Sequence, residues 1–125
     1  MGDIMDKQQA FYNFFNSFAL SAYDENSVPD DAQMPYITYQ VIIADLDDVV
    51  FPTASIWYRS DSWAQADAKV NEISQYIETM LPIPLKDGGF MHITKGTPFA
   101  QRMAETDTTV KRYLLNLGIE FLTEY

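Results

Sequence analysis

Few residues in this chain have the types and spacing that chemistry needs. His92 is the only histidine, set in Phe90-Met-His-Ile-Thr94, and there is no cysteine. An imidazole can serve as a general base or a metal ligand. That work requires a nucleophile, an orienting group or further ligands nearby. No Ser or Cys constellation surrounds His92 in sequence, so a surface or half-buried strand histidine is expected. Asp45, Asp47 and Asp48 crowd one short link. Their spacing lacks the later Gly and Glu of a calcium loop, so no metal site is assigned. There is also no glycine-rich phosphate loop, no Gly-x-Ser-x-Gly elbow and no His-Glu-x-x-His pair. The expectation is a non-enzyme with no catalytic, cofactor-binding or metal residues. The rival is an enzyme that uses His92 with a nearby carboxylate.

Charge is the strongest compositional signal: eight basic residues stand against eighteen acidic ones, for a net charge of -10. No Lys or Arg lies between Lys7 and Arg59, where Asp24, Glu25, Asp30, Asp31, Asp45, Asp47 and Asp48 all fall. Such a field repels phosphate backbones and anionic membrane surfaces. It reads as a solubilising surface, a surface for a basic partner, a DNA-repelling wall or a DNA mimic. No basic patch with interleaved aromatics appears, so specific nucleic-acid binding is not expected.

The 125 residues suit one domain, 1–125, with a substantial core. No apolar run approaches the roughly 20 residues of a membrane helix. Asp3 and Asp6 against Lys7 are wrong for the positive region of a signal peptide. A soluble protein made and kept inside a cell is expected.

Hydrophobic periodicity supplies the elements that would position any surface. Phe11, Phe14, Phe15, Phe18 and Ala22 form an aromatic stripe that predicts a helix over about Asp6 to Tyr23, capped by Asp3 or Asp6. Pro35 to Ile43 is β-branched and aromatic, and Ala54 to Arg59 alternates; together they predict a hairpin. Ser62, with Gln65 three places on, predicts a capping box opening a helix whose stripe is Trp63, Ala66, Val70, Ile73, Ile77 and Met80. Pro82 and Pro84 end that helix. Asp87-Gly88-Gly89 marks a turn and Phe90 to Thr94 a short strand. Thr97 and Pro98 predict a short helical segment over Phe99 to Glu105.

Two stretches are candidate interaction surfaces. The link Ala44 to Thr53 is long for a hairpin loop. Asp45, Asp47, Asp48, Val49, Val50 and Phe51 make it an acidic tip with apolar residues, a candidate interaction loop. Alternatively, Val50 and Phe51 continue the second strand into the core. The run Val110 to Tyr125 has period two, with Tyr113, Leu115, Leu117, Ile119 and Phe121 in one phase. Such a long strand can outrun its sheet and pair with a neighbour, so these five are candidate inter-subunit residues. Gly118 is a candidate bulge or bend.

Several strings, with the order of elements, carry a family resemblance: Ala22-Tyr-Asp-Glu-Asn-Ser-Val-Pro29, Pro35-Tyr-Ile-Thr-Tyr39, Ser62 to Ala66, Thr97-Pro-Phe-Ala-Gln-Arg102 and Val110-Lys-Arg-Tyr-Leu-Leu-Asn116. Together they resemble the tail-terminator, or tail-completion, proteins of long-tailed bacteriophages and prophages of Gram-positive bacteria. The resemblance implies an α+β fold in helix-hairpin-helix-strand-strand order, a mainly antiparallel sheet of about four strands under two main helices. It implies a closed ring, usually of six copies. That ring caps the finished tail tube and provides the head-tail joining surface. The implied partners are further copies of the chain, the major tail tube protein and a head-completion or connector protein. The implied location is the host cytoplasm during assembly, then the head-proximal end of the tail. The family has no catalytic residues or cofactors to carry over. The alternatives are another head-tail connector or an acidic DNA-mimic inhibitor.

Overall fold

A computed structural model describes residues 6–45 and 48–123. Helix α1, Lys7–Phe15, opens on Asp6, whose carboxylate accepts from the Gln9 amide at 2.8 Å while the Gln9 side chain accepts from the Asp6 amide. This is a capping box, and it satisfies amides that the first helical turn leaves unpaired. A 3-10 turn, Asn16–Phe18, follows, and Ala19 at φ 58° ends it. The chain then becomes β1, Ser21–Asp24. The expected helix to Tyr23 therefore stops early. From Phe18 the buried residues Phe18, Leu20 and Ala22 recur with period two, a strand signal that the phenylalanine stripe obscured in sequence.

The remaining elements are β2 Tyr36–Tyr39, β3 Val49–Val50, β4 Thr53–Arg59, α2 Ala64–Thr79, β5 Ile83–Pro84, β6 Phe90–Met103 and β7 Val110–Leu122. They form one seven-stranded sheet in the order β1-β2-β4-β7-β6-β5, with β3 on β7. Strands β1 and β2 are parallel, and the other pairs are antiparallel. The expectation of about four antiparallel strands under two main helices is thus overturned: the fold is mainly β, a curled mixed sheet with two short helices. Three strands went unforeseen: β1 behind the aromatic stripe, and the two-residue β3 and β5. The expected helical segment after Thr97 is instead the second half of β6. Pairing with β7 as far as Met103 and Arg112 overrides the local Thr-Pro helix signal.

Both helices cover one face of the sheet. Phe11, Phe14, Phe15 and Phe18 meet Ile37, Tyr39, Ala54, Ile56 and Tyr58 from β2 and β4, and Leu115, Leu117, Ile119 and Phe121 from β7. The Phe15 ring stacks on Tyr39 at 4.7 Å, and Phe18 meets Tyr76 of α2 edge-on at 5.1 Å. Burying each such ring contributes about 1.5–3 kcal/mol. Of the predicted stripe of α2, Ala66, Ile73 and Ile77 are buried and Trp63, Val70 and Met80 pack beside them. The expected capping box is absent. Trp63 is the N-cap, and the Ser62 hydroxyl accepts from the Ala64 amide at 3.0 Å.

No helix of the described residues packs on the opposite face. The irregular point of the sheet is on β6, where the register slips between Lys95 and Ala100. Residues 96–99 stand there against Asn116, whose amide donates to the Pro98 carbonyl at 3.0 Å. Gly118, the expected bulge, instead pairs regularly with Thr94. A Cβ on Gly96 would lie 2.9 Å from the Asn116 carbonyl oxygen. We expect Gly96→Ala to lower unfolding free energy by about 1–3 kcal/mol through overpacking, read by urea denaturation.

Candidate interaction surfaces

The link from β2 to β4 lies along β7. Lys7 Nζ donates to the Ala44 carbonyl at 2.6 Å, and the Asp48 amide to Asp45 O at 3.2 Å. The Phe121 amide donates to Asp48 O at 3.0 Å, and the Leu117 amide to Pro52 O at 3.1 Å. Between those anchors Val49 pairs with Glu120 and Val50 with Ile119. Of the candidate interaction loop, Asp45 and Asp48 are exposed, Val50 is half-buried against the core, and Val49 and Phe51 face solvent. Asp47 lies outside the described residues. Of the two apolar residues read as continuing the second strand into the core, Val50 packs against the core and Phe51 does not.

The candidate inter-subunit residues have a different setting. Leu115, Leu117, Ile119 and Phe121 are buried in the chain's own core, and Tyr113 packs against it. Strand β7 is central: β6 takes one edge, and β4 and β3 share the other. The outer strands are β1 and β5. Because β5 covers only Phe90 and Met91, the edge of β6 from His92 to Met103 has no strand partner among the described residues.

The register separates two ends of the sheet. The end at the β6–β7 turn and the start of α2 is held by ion pairs: Arg59 with Asp107 at 2.9 Å, Arg102 with Asp67 at 3.0 Å, and Arg112 with Glu105 at 3.9 Å. Arg102 also lies 4.6 Å over the Trp63 ring, and its Nε donates to the Tyr113 hydroxyl at 3.0 Å. Tyr113 in turn donates to Asp67. This clamp, which ties the β6–β7 hairpin to α2, joins residues far apart in sequence, and no local pattern announced it. On the uncovered face Arg112 lies 4.6 Å over Trp57 and donates from Nε to Ser55 Oγ, while Trp57 donates to Thr38 Oγ1 at 3.0 Å. The alternation of β4 puts Trp57 in the phase opposite Ala54, Ile56 and Tyr58, without saying which phase faces out. Its cation partner was not visible there.

The other end carries carboxylates that form no ion pairs among the described residues. Asp45, Asp48 and Glu120 lie along the link and β7 there, and none of them has an ion-pair partner among the described residues. His92 stands across from Glu120 on the uncovered face. Among the described residues no group of three or more His, Asp or Glu side chains could hold a metal ion. An open cleft lies between Asp6, Lys7 and Gln8 of the α1 N-terminus, Ile43, and Leu85 to Asp87 of the β5–β6 turn.

No protein-family model matches the chain, and no curated protein is detectably similar to it in sequence. Among solved structures, the chain resembles one in the "Virion of native gene transfer agent (GTA) particle". The TM-score is 0.60 at 15% identity, over 91% of this chain and 92% of that one. At that identity the likeness establishes a shared fold.

Hydrogen bonds from the Thr109 hydroxyl, the Arg59 guanidinium and the Thr109 amide lower the Asp107 carboxyl from 3.8 to about 2. Those from Tyr113 and Arg102 lower Asp67 as well. A depressed carboxyl contributes stability that is full above the unfolded pKa and is lost as pH falls through the folded one. The melting-temperature advantage of the native chain over Asp107→Asn is therefore expected to be constant above about pH 4 and to shrink between about pH 4 and 2. Thermal unfolding across that range checks this.

Proposed function

We propose that the chain is a structural virion protein, a tail terminator that caps the finished tail tube and presents the surface that receives the head. One observation carries the reading: over nearly its whole length the chain shares a fold with a chain of a virion particle. The family strings quoted above support the finer assignment to the tail. So does the distribution of free backbone. A closed ring requires a head-to-tail contact between two different surfaces, and the open edges of β1 and β6 lie at opposite sides of the sheet. Unpaired strand edges bind further strands. We assign the bridging between copies to these edges, since β7 is enclosed on both sides. The reading takes six copies to the ring, the tube protein and a head-completion protein as partners, assembly in the host cytoplasm, and a final place at the head-proximal end of the tail. The acidic surface keeps passing DNA from sticking.

Light scattering across concentration, with and without purified tail tubes, tests this. A hexamer, or a monomer that becomes a ring only on tubes, is the expected result. A monomer indifferent to tubes at every concentration would sink the terminator assignment and favour a connector on the head side.

A further inference from the structure

Among the described residues the most exposed large apolar side chain is Phe51, at 74% of its full accessible area. It does not sit on a loose loop. Asp48 O before it and Pro52 O after it both accept amides of β7, and Val49 and Val50 pair as a strand between them. Its ring lies over Gly118 on the uncovered face, with Cδ1 and Cε1 3.9 Å from where a Gly118 Cβ would stand. Val49, two residues before it, is 48% exposed. A side chain held in place before binding loses little freedom on contact, and fixed aromatics are the usual energetic anchors of interfaces.

The rim has one sign. Glu120 stands opposite Val49, and Asp48 and Asp45 precede it in the link, all without ion-pair partners among the described residues. Lys7 of α1 reaches this link, where it donates to the Ala44 carbonyl and lies 4.9 Å over the Phe121 ring. An apolar anchor in a carboxylate rim complements an apolar pocket ringed by Lys or Arg.

We propose that this end docks a different protein, through a pocket of that kind which receives Phe51. A second copy of the chain fits poorly, because Arg59, Arg102 and Arg112 at its far end are each ion-paired to their own carboxylates, and Lys111 there donates to the Thr108 carbonyl and lies 5.8 Å over its own Trp63 ring. Nucleic acid is repelled by the same rim. The inference rests on the virion reading for the source of the partner, a tail tube or a head.

Co-sedimentation of the full chain with purified tail tubes, and separately with purified DNA-filled heads, tests it. Phe51→Ala is expected to bind one particle about tenfold more weakly or worse, with an unchanged melting temperature. Native binding should weaken with added salt, and Asp45→Asn, Asp48→Asn and Glu120→Gln together should remove most of that dependence. Native binding that survives Phe51→Ala and the charge variant intact would overturn the docking inference and leave the virion reading standing. Binding to neither particle would overturn both. Loss of self-association in Phe51→Ala, seen by light scattering, would make the occupant a second copy and overturn the inference as stated.

Discussion

Everything in this fold depends on β7 being paired along both edges. One edge meets β6 almost end to end, and β4 and β3 divide the other. A strand in that position has its backbone hydrogen bonds met by its neighbours and must bury one side-chain phase. Leu115, Leu117, Ile119 and Phe121 occupy that phase, and the phenylalanines of α1 close over the same core. A slip of one residue would turn this set onto the uncovered face. The link with Phe51, the hairpin clamp and the open edge of β6 all take their positions from this pairing.

The sequence announced the elements that are strongly periodic. The alternation of β7, the inward set Ala54, Ile56 and Tyr58 of β4, and the stripe of α2 follow from side-chain spacing. Asp6 as a cap was readable too. Where two periods competed, the reading failed. Phe18 belongs to both the helical stripe and the alternating run to Ala22, and the left-handed Ala19 that decides between them leaves no side-chain signature. The two-residue strands β3 and β5 are too short to show a period. The extension of β6 depends on a partner far along the chain. The candidate surfaces were legible as composition only: Asp45 to Phe51 stood out as acidic and apolar, but the burial of Val50 and exposure of Phe51 come from pairing with β7.

Charge is sorted along the sheet in a way that no count reveals. At the hairpin end, cations meet carboxylates at 2.9 to 3.9 Å and lie over Trp57 and Trp63. These exposed pairs contribute little each to stability, yet together they fix the hairpin against α2. At the other end Asp45, Asp48 and Glu120 have no ion-pair partner among the described residues, and Lys7 there donates to a backbone carbonyl instead. Unpaired carboxylates at that end act on whatever approaches it.

The irregular stretch of β6 opposite Asn116 sets a limit on how the open edge can be used. It divides the edge into two short rungs, about residues 92–95 and 100–103, with Pro98 and its missing amide between them. An incoming strand finds no continuous ladder to copy, so growth from this edge is self-limiting. Sheet stacking without end, the hazard of any long bare strand, is thereby exchanged for contacts that must be finite and matched in shape.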